Sequence, residues 1–352
     1  MTLSEKKNRG EWSELYALTS ILATGKIKTS ETSKNVEGTE FPIVSVSRKI
    51  NGINHIFRIA GLEVEVMNTS DNTPIDKVSR LELSRQSELL LSKIKAGKGR
   101  SFQIPEAAPI LSALGLDKVA GNGEKTDLTI TIYDSRVKRE SEQGFSIKSF
   151  IGSKPTLLNA SGVTNIEYTI QQTLTELETE SLNKLGPIDL VSELDKNNFD
   201  ITPSNMDTRF EENLKMIDSE MDKLLAQIVL VSYEGRGRTM KDIVNILVEK
   251  NPLNYPSANN EIRYTHKIKD LLEAVALGMR PSESWTGQTE ADGGNLIVTS
   301  NGTILCHHAL DKDSLRTYLF DNTFIDTPSR RRHKFGSIIK NVLTLNFQIR
   351  FK

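Results

Sequence analysis

Residues Lys125 to Asn165 read KTDLTITIYDSRVKRESEQGFSIKSFIGSKPTLLNASGVTN, and the first part of this stretch has the pattern of two short strands joined by a charged turn. From Asp127 to Tyr133, Leu128, Ile130 and Ile132 alternate with Asp127, Thr129, Thr131 and Tyr133. That is the period of a strand with one oily face. Phe145 and Ile147 alternate with Ser146 and Lys148 in the same way. The residues between, Asp134 to Gly144, are polar, carry both signs of charge and end in glycine, so an antiparallel hairpin is the simplest connection. A turn centred on that loop puts Asp127 opposite Lys148, with both side chains on one face.

A carboxylate and a lysine so placed suit metal-assisted hydrolysis of a phosphodiester. The carboxylate holds a hard cation such as Mg2+ through oxygen, and the cation polarises the phosphate and generates hydroxide. The lysine positions or deprotonates the attacking water and offsets developing negative charge. An acid at the start of one strand and acid-x-Lys on the next is the pattern of the PD-(D/E)XK nucleases, which this stretch resembles with one departure. Its second motif is Ser146-Ile147-Lys148, so one acid is missing from its usual place. The competing reading is a plain ion pair on the surface of a sheet.

Outward from this stretch, GEWSELYAL at Gly10 to Leu18, GFSIKSFIGSKPTLLNASGVTN at Gly144 to Asn165, and a terminus reading DTPSRRRHKFG then LNFQIRF resemble the HpaII family of type II restriction endonucleases. The landmarks run in the same order from residue 10 to residue 351. The resemblance implies a mixed α/β (α+β) chain with a PD-(D/E)XK-like central sheet flanked by helices. It also implies Mg2+-dependent double-strand cleavage at a short specific DNA sequence, leaving 5′-phosphate and 3′-hydroxyl ends. The target is CCGG if specificity follows the founding member. A companion DNA methyltransferase, a prokaryotic cytoplasmic location and a homodimer on a palindromic site follow from the same resemblance.

At 352 residues the chain is long enough for two or more domains. It has no run of about 18 apolar residues to span a membrane, and MTLSEKKNRGEW has no stretch like a signal peptide. The single cysteine, Cys306, precludes an internal disulfide and fits a reducing compartment. One Cys and five scattered His make a structural zinc site a poor fit. A formal charge of −1 neither announces nor excludes a nucleic-acid binder, because the distribution of charge decides.

The spacing predicts a helix over Glu11 to Thr24, ended by Gly25. Glu11, Glu14, Leu18 and Ile21 form one stripe, and carboxylates on an apolar stripe need partners. Glu14 is therefore the first candidate for the displaced acid, joining Asp127 as a metal ligand, with Glu11 second. The alternative is that both are solvated. Phe41 to Arg48, Asn54 to Arg58 and Leu62 to Met67 read as strands, with a turn at Asn51-Gly52. A helix over Lys77 to Ala96 follows, then a basic loop with Lys98 and Arg100, then a short helix over Glu106 to Gly115. The Thr164 to Ile170 strand is expected beside the Lys148 strand. Before it, SKPTLLNASGVTN is rich in hydroxyl and amide side chains. Asn159, Thr164 and Asn165 are candidates for hydrogen bonds to phosphate or base edges, or for closing a tight turn.

Phe210, Leu214, Ile217, Met221, Leu224 and Ile228 predict one long amphipathic helix, followed by helices around Val244 to Leu247 and Ile262 to Leu277. Within this block EGRGRTMK lacks the spacing and ending of a phosphate loop. Hairpin strands are expected at Asn295 to Thr299 and Thr303 to His307, a short helix at Ser314 to Asp321, and a final strand at Leu343 to Phe351. Beyond Pro328, Arg330, Arg331, Arg332, Lys334, Lys340, Arg350 and Lys352 have no acid among them, a local field that attracts a polyanion. Arg330 to Arg332 and Lys334 are candidates for phosphate contact, or for reading guanine.

The division expected is a nuclease core at 1–170, a helical subdomain at 171–280 and a C-terminal DNA-binding region at 281–352. In the mechanism implied, Asp127 and Glu14 hold Mg2+, Lys148 orients the attacking water, and Ser146 holds water at the vacant acidic position. Two rivals stand beside this reading: a DNA-binding protein without catalysis, and a structure-specific repair nuclease on the same core.

Overall fold

The computed structural model describes residues 6–31, 36–50, 53–116, 126–134, 138–308 and 312–352. The Asn51-Gly52 turn expected from the sequence lies outside them. Helix α1 (Arg9–Thr24) begins on a capping box in which Asn8 and Glu11 bond each other's backbone N–H, and ends on Gly25 at φ 64°. Arg80 donates to Ala23 O at 3.0 Å, Thr24 O at 2.6 Å and Gly61 O at 2.9 Å, so it satisfies two of the last carbonyls of the helix. Strands β1 (Lys26–Glu31), β2 (Val36–Ile50), β3 (Ile53–Ala60), β4 (Glu63–Met67) and β5 (Pro74–Ser79) come next. Helix α2 (Arg80–Ala96), the short α3 (Ala108–Ala113), β6 (Leu128–Asp134) and β7 (Arg139–Ser149) complete this run.

The chain then passes through β8 (Thr156–Leu158), β9 (Asn165–Ile170), α4 (Glu176–Asn183), α5 (Pro187–Lys196) and β10 (Ile201–Met206). Helices α6 (Thr208–Ile217), α7 (Met221–Ser232), α8 (Met240–Lys250) and α9 (Asn260–Leu277) follow. Strands β11 (Gly294–Val298) and β12 (Ile304–His308) form the hairpin that the sequence indicated, and α10 (Lys312–Asn322) comes after it. The chain ends in β13 (Thr323–Ile325), α11 (Arg330–His333), β14 (Ile338–Ile339), β15 (Val342–Asn346) and β16 (Ile349–Phe351).

These elements form two compact units, Met1–Pro155 with Glu290–Leu315, and Thr156–Thr289 with Arg316–Lys352. The boundaries at 170 and 280 drawn from the sequence do not coincide with this division, because β11 and β12 return to the first unit's sheet. That sheet has the order β1-β12-β11-β7-β6-β2-β3-β4-β5, and β1 also pairs with β2. Strand β7 lies antiparallel to β6 and parallel to β11. One face carries Val46, Leu128, Ile130, Phe145, Ile147, Leu296 and Val298, packed with Trp12, Leu15, Leu18 and Leu22 of α1 in the main core. The second unit holds two small sheets, β10-β9-β15-β14 and β13-β16-β8.

Four expectations are corrected. Strand β9 pairs with β10 and β15, not with the Lys148 strand. Its alternating burial suits a sheet with one wet face, whereas the uniformly buried GNLIV of β11 suits the parallel place beside β7. The long helix through Phe210 and Ile228 is two helices, broken where Asp218 is extended (φ −159°, ψ 140°) and bonds Glu220 N and Met221 N. The Leu343 to Phe351 segment is two strands in different sheets, turned at Phe347, whose N–H donates to Thr164 O at 3.0 Å. The Lys77 helix starts at Arg80, capped by Ser79, with Pro74–Ser79 paired as an edge strand.

Candidate active site

The hairpin register differs from the symmetric one expected. Leu128 faces Phe145 and Asp134 faces Arg139, so Asp127 falls opposite Ser146, and Lys148 lies two residues further along the same face. Asp127 N–H continues the ladder to Phe145 O at 2.8 Å. The Asp127 carboxylate turns back on β7: Oδ2 accepts from Ile147 N at 2.6 Å and from Ser146 Oγ at 3.3 Å. Oδ1 accepts nothing among the described residues. Burial raises the carboxyl above the usual range, opposed in turn by the Lys148 charge, the Ile147 N–H, the Arg48 charge and the Ser146 hydroxyl.

Glu14 does not bond Asp127; its Oε2 is paired with Arg48 Nη2. Arg48 shares the core-facing parity of Val46 on β2 and is 2% exposed. Burial lowers its pKa, held up first by Glu14 and then by Asp127. One buried guanidinium thus pairs with Glu14 and lies within electrostatic reach of Asp127. Glu11 is spent on the helix cap. Arg48 was missed because a strand arginine normally points to water; its place on the apolar parity of β2 was the available signal.

A cleft of about 470 Å³ opens beside Asp127, lined by Arg48, Lys49, Thr129, Glu142, Glu290 and Asp292 among others. Its wall is pinned at Gly144, whose N–H donates to Asp292 Oδ1 at 2.6 Å and whose carbonyl accepts from Gly293 N at 2.7 Å. A Cβ at Gly144 would meet Glu290 O at 2.6 Å and Thr126 Oγ1 at 2.9 Å. Gly144→Ala is therefore expected to destabilise the protein by about 1–3 kcal/mol, the usual range for overpacking; a urea unfolding midpoint checks it.

Among the described residues no cluster of three or more His, Cys, Asp or Glu is placed to hold a metal. The donors that do converge still fit a hard cation. Asp127 offers an unbonded carboxylate oxygen whose ionised form is short of partners, Ser146 adds a neutral oxygen, and Mg2+ commonly takes only one or two carboxylates and keeps water elsewhere.

The nucleic-acid candidates fall in the second unit. Thr164 is buried, and its hydroxyl accepts from Ser161 N at 3.0 Å and Asn346 Nδ2 at 3.2 Å and donates to Ser161 O at 3.1 Å. It closes a turn and presents no group to a ligand. Arg330 donates to Leu185 O at 2.7 Å and Asn183 O at 3.0 Å, at the end of α4, which explains it as an anchor. Asn165 donates to His333 O at 3.1 Å and so ties β9 to α11. Beside that tie, Arg331, Arg332 and Lys334 are exposed, with no ion pair among the described residues; Asn159 is also exposed. Lys334 and Asn165 line one polar hollow with Glu167 and Asn205. The structure therefore gathers Asn165, Arg331, Arg332 and Lys334, and leaves Thr164 and Arg330 as structural.

An Asp beside a polar cleft and a Lys on the same face of the adjoining strand are residue types that metal-assisted phosphodiester hydrolysis uses. Residues 8–351 match the HpaII restriction endonuclease family. The chain is 36% identical over 352 residues to the type II restriction enzyme HpaII of Haemophilus parainfluenzae, covering 98% of each protein. No solved structure matches it. The chain belongs to the HpaII restriction endonuclease family. It is accordingly a type II site-specific deoxyribonuclease that binds DNA, and enzymes of this type generally use a divalent metal. No helix among the described residues is long and apolar enough to cross a membrane.

Proposed function

We propose that the protein cuts double-stranded DNA at a short specific sequence with Mg2+ held at Asp127, on a PD-(D/E)XK-like core. The observation that carries this is the single sheet face shared by Asp127, Ser146 and Lys148. When bound, Mg2+ polarises the phosphate and acidifies a water. Asp127 binds through the carboxylate oxygen that the hairpin leaves unbonded. The Ile147 N–H and Ser146 hydroxyl fix the other oxygen, so the carboxylate arrives oriented. Lys148 orients the attacking water and sets a positive charge against the phosphate. Glu14 serves as counter-charge to Arg48 and keeps that guanidinium beside Asp127. The products are 5′-phosphate and 3′-hydroxyl ends, and CCGG is the first target to test. A homodimer matches a palindromic site, a companion methyltransferase protects the host DNA, and the bacterial cytoplasm is where both would act.

The test is a digest of unmethylated plasmid and phage DNA with Mg2+, alongside EDTA and Lys148→Ala controls. Discrete bands lost in both controls support the proposal, and sequencing their ends gives the target. Smears without fixed ends favour a structure-specific nuclease, and intact DNA favours a non-catalytic binder. Arg331, Arg332 and Lys334 are proposed as DNA contacts with Asn159 and Asn165 beside them. Arg331→Ala with Arg332→Ala is expected to weaken binding to all sequences alike. It should also lower the slope of log K against log salt by about one for each phosphate that is no longer neutralised, as filter binding across a salt series will show.

A further inference from the structure

Polar side chains cross the first unit's sheet in one row, Asp127 before β6, Ser146 on β7, Asn295 on β11 and His307 on β12. The register pairs Asn295 with Ser146 and with His307. Leu296 and Val298 point into the main core, so Asn295 takes the opposite face, that of Ser146 and Lys148. Asn295 is fully buried, and among the described residues neither its Oδ1 nor its Nδ2 has a hydrogen-bond partner. A buried carboxamide with both groups unpaired is rare, because buried polar groups are almost always hydrogen-bonded, often to ordered water. Its strand neighbour Ser146 touches the Asp127 carboxylate. Burial holds His307 neutral, down to about 4, so the row ends without a competing cation.

We propose that Asn295 is a positioning residue for the divalent cation. Its carboxamide hydrogen-bonds water of the cation at Asp127 and does, through neutral groups, what a carboxylate at Ser146 would do by charge. This rests on the reading of Asp127 as the metal ligand. A cation that keeps several waters extends its reach by a water and a hydrogen bond, and adjacent strands lie only about 4.8 Å apart. The Oδ1 acceptor of the carboxamide then finds a donor in that water.

The experiment is Mn2+ binding to the full chain without DNA, followed by calorimetry and by the loss of the free-ion electron paramagnetic resonance signal. It compares wild type with Asp127→Asn, Asn295→Leu and Asn295→Asp, with melting temperatures alongside. Asn295→Leu is expected to weaken Mn2+ about 10–100-fold, the range for groups that support metal ligands, while folding is retained. Asn295→Asp, similar in shape and adding a charge, is expected to bind Mn2+ more tightly than wild type. Unchanged affinity in both Asn295 variants, with Asp127→Asn defective, overturns the role of Asn295 alone. Equal affinity in wild type and Asp127→Asn overturns the reading of Asp127 itself. If Asn295→Leu does not fold, the Asn295→Asp arm decides by the same comparison.

Discussion

Asp127→Asn will abolish cleavage and at the same time raise the melting temperature of the metal-free protein. The two effects share one cause. The carboxylate sits where burial disfavours its ionised form despite Lys148, the Ile147 N–H, Arg48 and Ser146. Its folded pKa is raised, so its contribution to stability is fully present below the unfolded value. That contribution is lost as pH rises through the folded value. Above the folded pKa the ionised Asp127 therefore costs stability, and the uncharged amide removes that cost. The amide oxygen still accepts from Ile147 N. Removing the carboxylate that Ile147 N and Ser146 Oγ orient forfeits metal-assisted stabilisation worth several kcal/mol; at about 1.4 kcal/mol per decade that is roughly a thousandfold or more in rate. Mg2+ should raise the wild-type melting temperature and leave the Asn variant unmoved. Thermal scans with and without Mg2+, beside a timed digest, check both halves. A variant that melts lower than wild type without metal would show that Asp127 is a structural ion-pair partner.

Only part of this site could be read from the chain. The shared face of Asp127 and Lys148 was legible because side-chain alternation in a strand needs no tertiary information. Their register was not: it depends on how many residues the turn spends, and the strands run on to Asp134 and Arg139 through charged residues that look like loop. The β11–β12 hairpin was legible from its own turn, but its place beside β7 was not, because a parallel neighbour arrives after the whole excursion through the second unit. Glu14 stands out by its place on an apolar stripe, yet its partner comes from a distant strand; the apolar parity of β2 marks Arg48 as inward-facing without naming Glu14 as its partner. The Asn159 to Asn165 segment shows the opposite limit. Its hydroxyl and amide groups suit ligand contact or a tight turn equally, and packing against Asn346 assigned Thr164 to the turn. Composition located the basic tail, and only the carbonyls of Asn183 and Leu185 separate Arg330 from Arg331 and Arg332.

The second large effect concerns the Glu14–Arg48 pair, and it separates the worth of the pair from the cost of breaking it. Glu14→Gln leaves a guanidinium that is 1% exposed in its side chain without its first counter-charge. Removing one partner of a buried pair typically costs about 3–5 kcal/mol. The Glu14 side chain is 20% exposed, so water reaches the gap and about 3 kcal/mol is expected. Arg48→Met alone leaves Glu14 able to turn to water and removes a buried charge whose Nε and Nη1 have no hydrogen-bond partner among the described residues, so its cost is expected to be smaller. Combining Glu14→Leu with Arg48→Met should recover most of the loss, because a buried ion pair replaced by apolar groups of like volume is often neutral or stabilising. The cycle, closed with Glu14→Leu as the other single change, is measured by urea unfolding, and simple additivity of Glu14→Leu and Arg48→Met would show that no such coupling exists. Cleavage should follow a different order. The double variant regains stability but strips a positive charge from beside Asp127, so it should fold well and cut poorly. That outcome would mean that the buried arginine is retained for the chemistry of the cleft and not for the stability of the sheet.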